Sequence, residues 1–201
     1  KGCSWNHCDT MIQQIHGQRL IIVDLTARGE EKLKGHGVSQ CASCDGPQLR
    51  GRDVCVVGGG DSALDEAVEL VAHVAKVTLI HRGAELDGQR SLIERAANTS
   101  NIDIVLGTEI LEVLGSDVVT GVSLRNLQSG EQRSLSVAGV FVYIGLEPNS
   151  AAFADLLALD RSRRIEIDQG LATSVAGILA AGDIRAGPGA LLASSVDDGA
   201  A

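Results

Sequence analysis

Two thiols spaced as Cys41-Ala42-Ser43-Cys44 and followed by Asp45-Gly46 can close and reopen a disulfide, which is a two-electron couple. That spacing sets a resolving thiol beside an attacking one and lowers the pKa of the attacker. Asp45, next in line, can give or take a proton at sulfur. Downstream, the apolar run Val54-Cys55-Val56-Val57 leads into Gly58-Gly59-Gly60-Asp61-Ser62-Ala63. A strand, a G-x-G-x-x-A turn and a helix is the context of a dinucleotide loop: the glycines allow a tight turn and close approach to a pyrophosphate, and the small sixth residue lets the helix pack on the strand. A nicotinamide on such a loop carries two electrons as hydride, matching the dithiol in electron count. Thiols accept hydride poorly, so a flavin between the two is implied.

The end of the next strand bears on which nicotinamide is used. An acidic residue there would bind a ribose 2′-hydroxyl, whereas His81-Arg82 is a cationic pair suited to a 2′-phosphate, so NADPH is expected over NADH. A competing use of Cys41 and Cys44 is half of a zinc site completed from Cys3, His7 and Cys8. The redox pair is favoured and no metal is expected. Cys55, inside an apolar run, reads as a small buried hydrophobe.

The elements that must position these groups follow from periodicity. Residues 1–20 carry no clean period, residues 20–23 read as a short strand, and residues 29–37 read as a polar connection into the dithiol. A helix with Ala63, Ala67, Leu70, Val71 and Val74 on one face follows the glycine loop, with Asp65 and Glu66 placed in its first turn. Residues 77–80 make the next strand, closing a strand–helix–strand unit, and a second helix spans roughly 91–97. Strands are expected at 102–106, 109–114, 118–127 and 134–137, with Ser129-Gly130 at a hairpin turn, and a buried parallel strand at 140–144. A short apolar helix ending near Leu159, a charged surface turn over 160–164 and a helix from about Ala190 complete the pattern.

The 201 residues suffice for one large domain or a domain and part of another. A net charge of −9 disfavours a nucleic-acid face, and no apolar run approaches the length of a membrane span or a signal peptide core. A cytoplasmic protein is expected. Five cysteines, an odd number in a chain of this size, argue against a framework of structural disulfides.

The segments CASCDG, GRDVCVVGGGDSALDEA, VTLIHR, VAGVFVYIGLEPN and ILAAGDIR together closely resemble the low-molecular-weight thioredoxin reductases and the related alkyl hydroperoxide reductase flavoproteins. The resemblance implies an α/β fold: a Rossmann-like three-layer ββα NAD(P)-binding domain inserted in a partial FAD-binding domain whose N-terminal half is largely missing. The expected domains are 1–34 as a flavin-domain remnant or linker, 35–160 as the NADPH-binding domain with the CxxC, and 161–201 as the C-terminal part of the FAD domain. It implies electron flow from NADPH through FAD to Cys41/Cys44 and on to a thioredoxin-like protein disulfide, in an enzyme that is a homodimer when complete. Cys44 would face the flavin, Cys41 would attack the protein substrate, and Asp45 would move protons at the thiols. Gly58, Gly59, Gly60, Asp61, Ser62 and Ala63 would cradle the pyrophosphate, His81 and Arg82 would meet the adenosine ribose, and Ile144 and Gly145 would adjoin the nicotinamide half. Gly182 and Asp183 would hold the flavin's ribityl chain. The sequence departs from the family with Gly83 and Asp87 where arginines are common, Leu191 in place of a glutamine, and Asp197 before the Asp198-Gly199 pair. A nucleotide-binding fragment without turnover and a small-molecule dithiol oxidase of the same architecture are the alternatives.

Overall fold

The computed structural model describes residues 20–187 and 192–200. Cys3, His7, Cys8 and Leu191 lie outside them, as does the unassigned stretch up to residue 19. The chain divides into two compact units, Val23–Gly145 and a second formed by Lys1–Ile22 with Leu146–Ala201.

In chain order the described elements are β1 (Leu20–Ile22), α1 (Glu30–Leu33), β2 (Val38–Ser39), α2 (Ala42–Asp45), β3 (Asp53–Val57), α3 (Asp61–Leu70), β4 (Lys76–Ile80) and α4 (Arg90–Ala97). They continue as β5 (Ile102–Val105), β6 (Thr108–Leu114), β7 (Gly121–Asn126), β8 (Gln132–Leu135), β9 (Gly139–Val142), β10 (Leu146–Pro148) and α5 (Leu192–Ala200).

The larger unit is a five-stranded parallel sheet in the order β2-β9-β3-β4-β5 and a three-stranded antiparallel sheet β6-β7-β8. Alternation along β3 explains the layering, because successive side chains on a strand point to opposite faces. Val54 and Val56 pack with Ala63, Leu64, Ala67 and Leu70 of α3, whereas Cys55 and Val57 pack with Val113, Val122 and Leu124 of the antiparallel sheet. One parallel sheet is thus covered by helices on one face and by a second sheet on the other. This is the expected ββα arrangement. Both faces are buried, so the strands read as continuous apolar runs rather than alternating ones.

Strand order changes direction between β3 and β9. From β3 the chain crosses through α3 to β4 on one side, while β9 lies on the other side. In open parallel sheets the crevice at the carboxyl ends of such neighbouring strands is where ligands bind.

In the smaller unit β1 pairs antiparallel with β10, and Leu157, Ile165 and Ala180 make a compact core with Phe153, Ile167 and Ile184. The expected boundaries at 34/35 and 160/161 therefore shift. Residues 23–34 join the larger unit because Leu33 is buried beneath its antiparallel sheet and the Val113 N–H donates to the Arg28 carbonyl at 2.8 Å. Residues 146–160 join the smaller one because β10 pairs with β1 and Leu157 packs on Ile165.

Several expected elements change locally. The supposed polar connection 29–37 contains α1, held because the Glu30 carboxylate, itself buried, accepts from the Leu25 and Ala27 N–H groups at 2.9 and 3.3 Å. The strand expected from residue 118 starts at Gly121, since the Val119 and Thr120 amides turn to the carbonyls of His36 and Leu114. Its partner is Gln132–Leu135 rather than 134–137, in register with β7 from Arg125 to Val122. Between them the Asn126 carboxamide oxygen accepts from Gln128 and Ser129, and Gly130 adopts φ +75° at the expected turn. The strand expected over 140–144 ends at Val142. In place of an apolar helix reaching Leu159, a single 3₁₀ turn at Ala151–Phe153 leads into turns. Cys55 is fully buried, as its apolar context implied.

Phe141 sits on the interior strand β9, between β2 and β3, with no exposed surface. Replacing it with Ala is expected to destabilise the chain by about 3–5 kcal/mol, read as a lower urea midpoint with an unchanged slope.

Candidate functional site

The two thiols are joined as a Cys41–Cys44 disulfide with Cα atoms 5.3 Å apart. Cys41, in extended conformation, caps α2, and Cys44 lies within it and is the more exposed of the two. Bonded to each other, neither sulfur is a free thiolate ligand for zinc. Short side chains fix the turn: Ser39 Oγ accepts from the Cys41 N–H at 3.1 Å and donates to Asp45 Oδ2 at 2.5 Å, while Gln48 Nε2 donates to Asp45 Oδ1 at 3.3 Å. Asp45, the residue after Cys44, is thereby held in a fixed orientation.

A second set of contacts comes from the nucleotide side. The Ala42 N–H donates to both Glu66 Oε2 at 3.2 Å and Tyr143 Oη at 3.1 Å. Partial burial, together with the Glu66 carboxylate that accepts from it, pushes the Tyr143 phenol well above its ordinary pKa. Glu66 is in the second turn of α3, one turn beyond its expected place, because the helix begins at Asp61.

The glycine loop lies where the strand order reverses. Gly58 adopts φ +146°, and a Cβ there would collide with the Tyr143 carbonyl and with Ala63. Gly59 rests on the His81 ring, and a Cβ at Gly60 would meet open space. Ala63 is fully buried, while Asp61 and Ser62 are exposed at the start of α3. Asp61 already has partners within the chain: its carboxylate accepts from the Gln89 N–H at 2.6 Å and Gln89 Nε2 at 2.7 Å, contacts that hold its pKa below the usual range. With the Asp87 N–H donating to the Gly59 carbonyl at 2.9 Å, residues 83–89 fold against the glycine loop.

That fold places the two cationic candidates differently. His81 is buried beneath Gly59 with Nε2 3.5 Å from Asp87 Oδ2, and Arg82 is exposed. Ile144 and Gly145 follow Tyr143, both exposed, and the Gly145 carbonyl accepts from the Val23 N–H at 3.1 Å.

In the smaller unit Gly182 adopts φ +78°, and Asp183 Oδ1 accepts from Ser195 Oγ at 3.4 Å. Asp198, noted only as a departure from a family pattern, is the anion of a largely buried pair. Arg185 Nε and Nη2 donate to it at 2.5 and 2.7 Å, and the Gly182 N–H adds a third bond at 2.8 Å. The guanidinium and that amide hold the Asp198 carboxyl below its ordinary range.

Sequence reasoning missed Ser39, Glu66, Tyr143 and Gln89. One available signal was that Tyr143 is the only tyrosine and interrupts an otherwise apolar run. Glu66 gave none, because an acid on an exposed helix turn needs no partner.

A family model described as pyridine nucleotide-disulphide oxidoreductase matches residues 17–199. The chain is 41% identical over 163 residues to a thioredoxin reductase of Listeria monocytogenes, covering 81% of this chain and 51% of that protein. It is 40% identical over 160 residues to an alkyl hydroperoxide reductase protein of Staphylococcus aureus, covering 80% and 32%. Among solved structures, a thioredoxin reductase of Lactococcus lactis in the FR conformation superposes with a TM-score of 0.85 at 33% identity, over 90% of this chain and 60% of that one. The chain thus spans about half, or less, of the length of these curated relatives.

The Asp198 contacts predict a pH effect of definite sign. Its folded pKa is depressed, so its contribution is complete above the unfolded carboxylate value of about 3.9 and is lost as pH falls through the folded one. Asp198→Asn should lower the thermal midpoint at pH 7, and the gap from the parent should close as pH is brought below about 4.

Proposed function

The chain belongs to the pyridine nucleotide-disulphide oxidoreductase family, and on that premise we propose that it is the NADPH-binding domain, with the C-terminal part of the FAD domain, of a thioredoxin-reductase-like enzyme. In this reading electrons from NADPH reach the Cys41–Cys44 disulfide by way of FAD and pass to a thioredoxin-like protein disulfide. The observation that carries it is that a closed Cys41–Cys44 disulfide and the Gly58–Ala63 loop occupy one compact unit, tied together through Ala42, Glu66 and Tyr143.

Gly58, Gly59 and Gly60 bring backbone against the pyrophosphate, and the open space at Gly60 fits it. Arg82, exposed just past the end of β4, reads the 2′-phosphate. Ile144 and Gly145 border the nicotinamide. FAD, when bound, accepts two electrons as hydride and can release them to a disulfide. Gly182, whose left-handed backbone suits close approach, and Asp183 are the residues of this chain that would hold it. Cys44 would be the sulfur that receives the electrons FAD supplies, and Cys41 attacks the substrate disulfide to give a mixed disulfide that Cys44 resolves. Asp45, held by Ser39, supplies and takes the protons at the departing and attacking sulfurs. The thioredoxin reductase names of the relatives support a thioredoxin-like partner. The whole protein is read as a cytoplasmic homodimer; among the described residues no helix is long and apolar enough to cross a membrane.

The test is anaerobic. The purified chain, incubated with FAD and freed of excess, should keep a visible flavin band that bleaches on adding NADPH. Cys41→Ser should retain that bleaching but lose all reduction of a thioredoxin disulfide. Failure to retain flavin would overturn turnover by this chain, and disulfide reduction surviving in Cys41→Ser would remove the dithiol from the mechanism.

A further inference from the structure

The dithiol turn is held from two directions, and only one of them belongs to its own segment. Ser39 and Asp45 bind it locally, while Glu66 from α3 and Tyr143 from the end of β9 converge on a single amide, the N–H of Ala42. Ala42 is fully buried and directly follows Cys41, so whatever holds that amide sets where the Cys41 sulfur points. Both holders belong to the nucleotide-binding framework. Glu66 stands in the helix that the glycine loop opens, and the Tyr143 backbone carbonyl is the group against which Gly58 is packed.

Tyr143 is bound at both ends of its polar function, its hydroxyl accepting from Ala42 and donating to the Glu66 carboxylate. A carboxylate bonded to the amide of the residue that follows Cys41 disfavours the thiolate that forms when the disulfide opens, by repulsion between like charges. Titratable groups facing the turn are Asp45 from α2, Glu66 from α3, Tyr143 after β9, and His73 after α3, which lies beside Gly46 together with Leu70.

We infer that Glu66 and Tyr143 are positioning residues of the Cys41–Cys44 pair, fixing its turn through the Ala42 amide and holding back the Cys41 thiolate. The inference rests on reading the pair as redox-active and adds what governs its reactivity. Reduction by an external dithiol breaks the Sγ–Sγ bond, delivers two electrons and two protons to give two thiols, and leaves the reductant as its own disulfide. Glu66 takes no part in that exchange of electrons. It acts on how readily Cys41 then gives up its proton.

The measurement is the pH dependence of iodoacetamide alkylation at Cys41 in the reduced full chain, followed on the Cys41 peptide by mass spectrometry. Glu66→Gln keeps an acceptor for Ala42 but removes the charge. Its profile should move down by about one pH unit, and alkylation at pH 7 should rise about threefold once the lower nucleophilicity of a more acidic thiol is included. Glu66→Asp, which keeps the charge, should restore the parent profile. Tyr143→Phe leaves the carboxylate without its phenol donor and should move the profile up. A merely structural role would lower the thermal midpoint without displacing the profiles. Superimposable profiles for the parent and Glu66→Gln would overturn the inference alone, whereas a Cys41–Cys44 bond that external dithiol cannot open would overturn the redox reading and this inference with it.

Discussion

The carboxyl ends of β3 and β9 meet at a backbone contact that tolerates no side chain, Gly58 against the carbonyl of Tyr143. The sheet order reverses at this point, so a crevice opens between two adjacent parallel strands, and everything the site needs is arranged around it. Ala63 must be small because it faces the same glycine, and α3 must start where it does because Gly60 leads directly into it. A helix begun there carries Glu66 to the dithiol side. Just past the end of the strand at Val142, Tyr143 still donates its N–H to the Val57 carbonyl of β3 at 2.8 Å, and its side chain reaches Ala42.

The same geometry joins two chemistries that could have been separate. A glycine loop alone binds a nucleotide, and a CxxC alone exchanges disulfides. Here one buried amide is shared by an acid from the loop's helix and a phenol from the neighbouring strand end, so displacement on one side is felt on the other. Charge around the dithiol is acidic on two sides, with Asp45 held by Ser39 and Glu66 held by Tyr143.

The glycine loop, the dithiol and the burial of Cys55 were legible in the sequence because each is a local pattern with a local physical cause. The ββα layering was legible only through the resemblance, since apolar runs such as residues 54–57 do not say which residue faces a helix and which faces a second sheet. Misplaced elements share one cause: the contacts that decide them come from residues with no periodic signal. Glu30 and Leu33 lie in a stretch that looks polar, yet a carboxylate capping two amides and one buried leucine suffice to make a turn of helix. The burial of His81 had no signal of its own, because the loop that covers it is pinned by Asp61 and Gln89, residues with no period to reveal them. Asp198 stood out only as a mismatch, because its partner Arg185 lies 13 residues away in a stretch of turns.

The central claim, that the glycine loop holds a nicotinamide dinucleotide beside a dithiol turn it is wired to, is tested most directly by amide NMR of the oxidised full chain titrated with NADPH. The account predicts shifts at residues 58–63 and at Arg82 that extend to Ala42 and Tyr143, with the β6–β8 sheet left unchanged. Saturable binding that moves none of residues 58–63, or a titration that moves no amide at all, would contradict it.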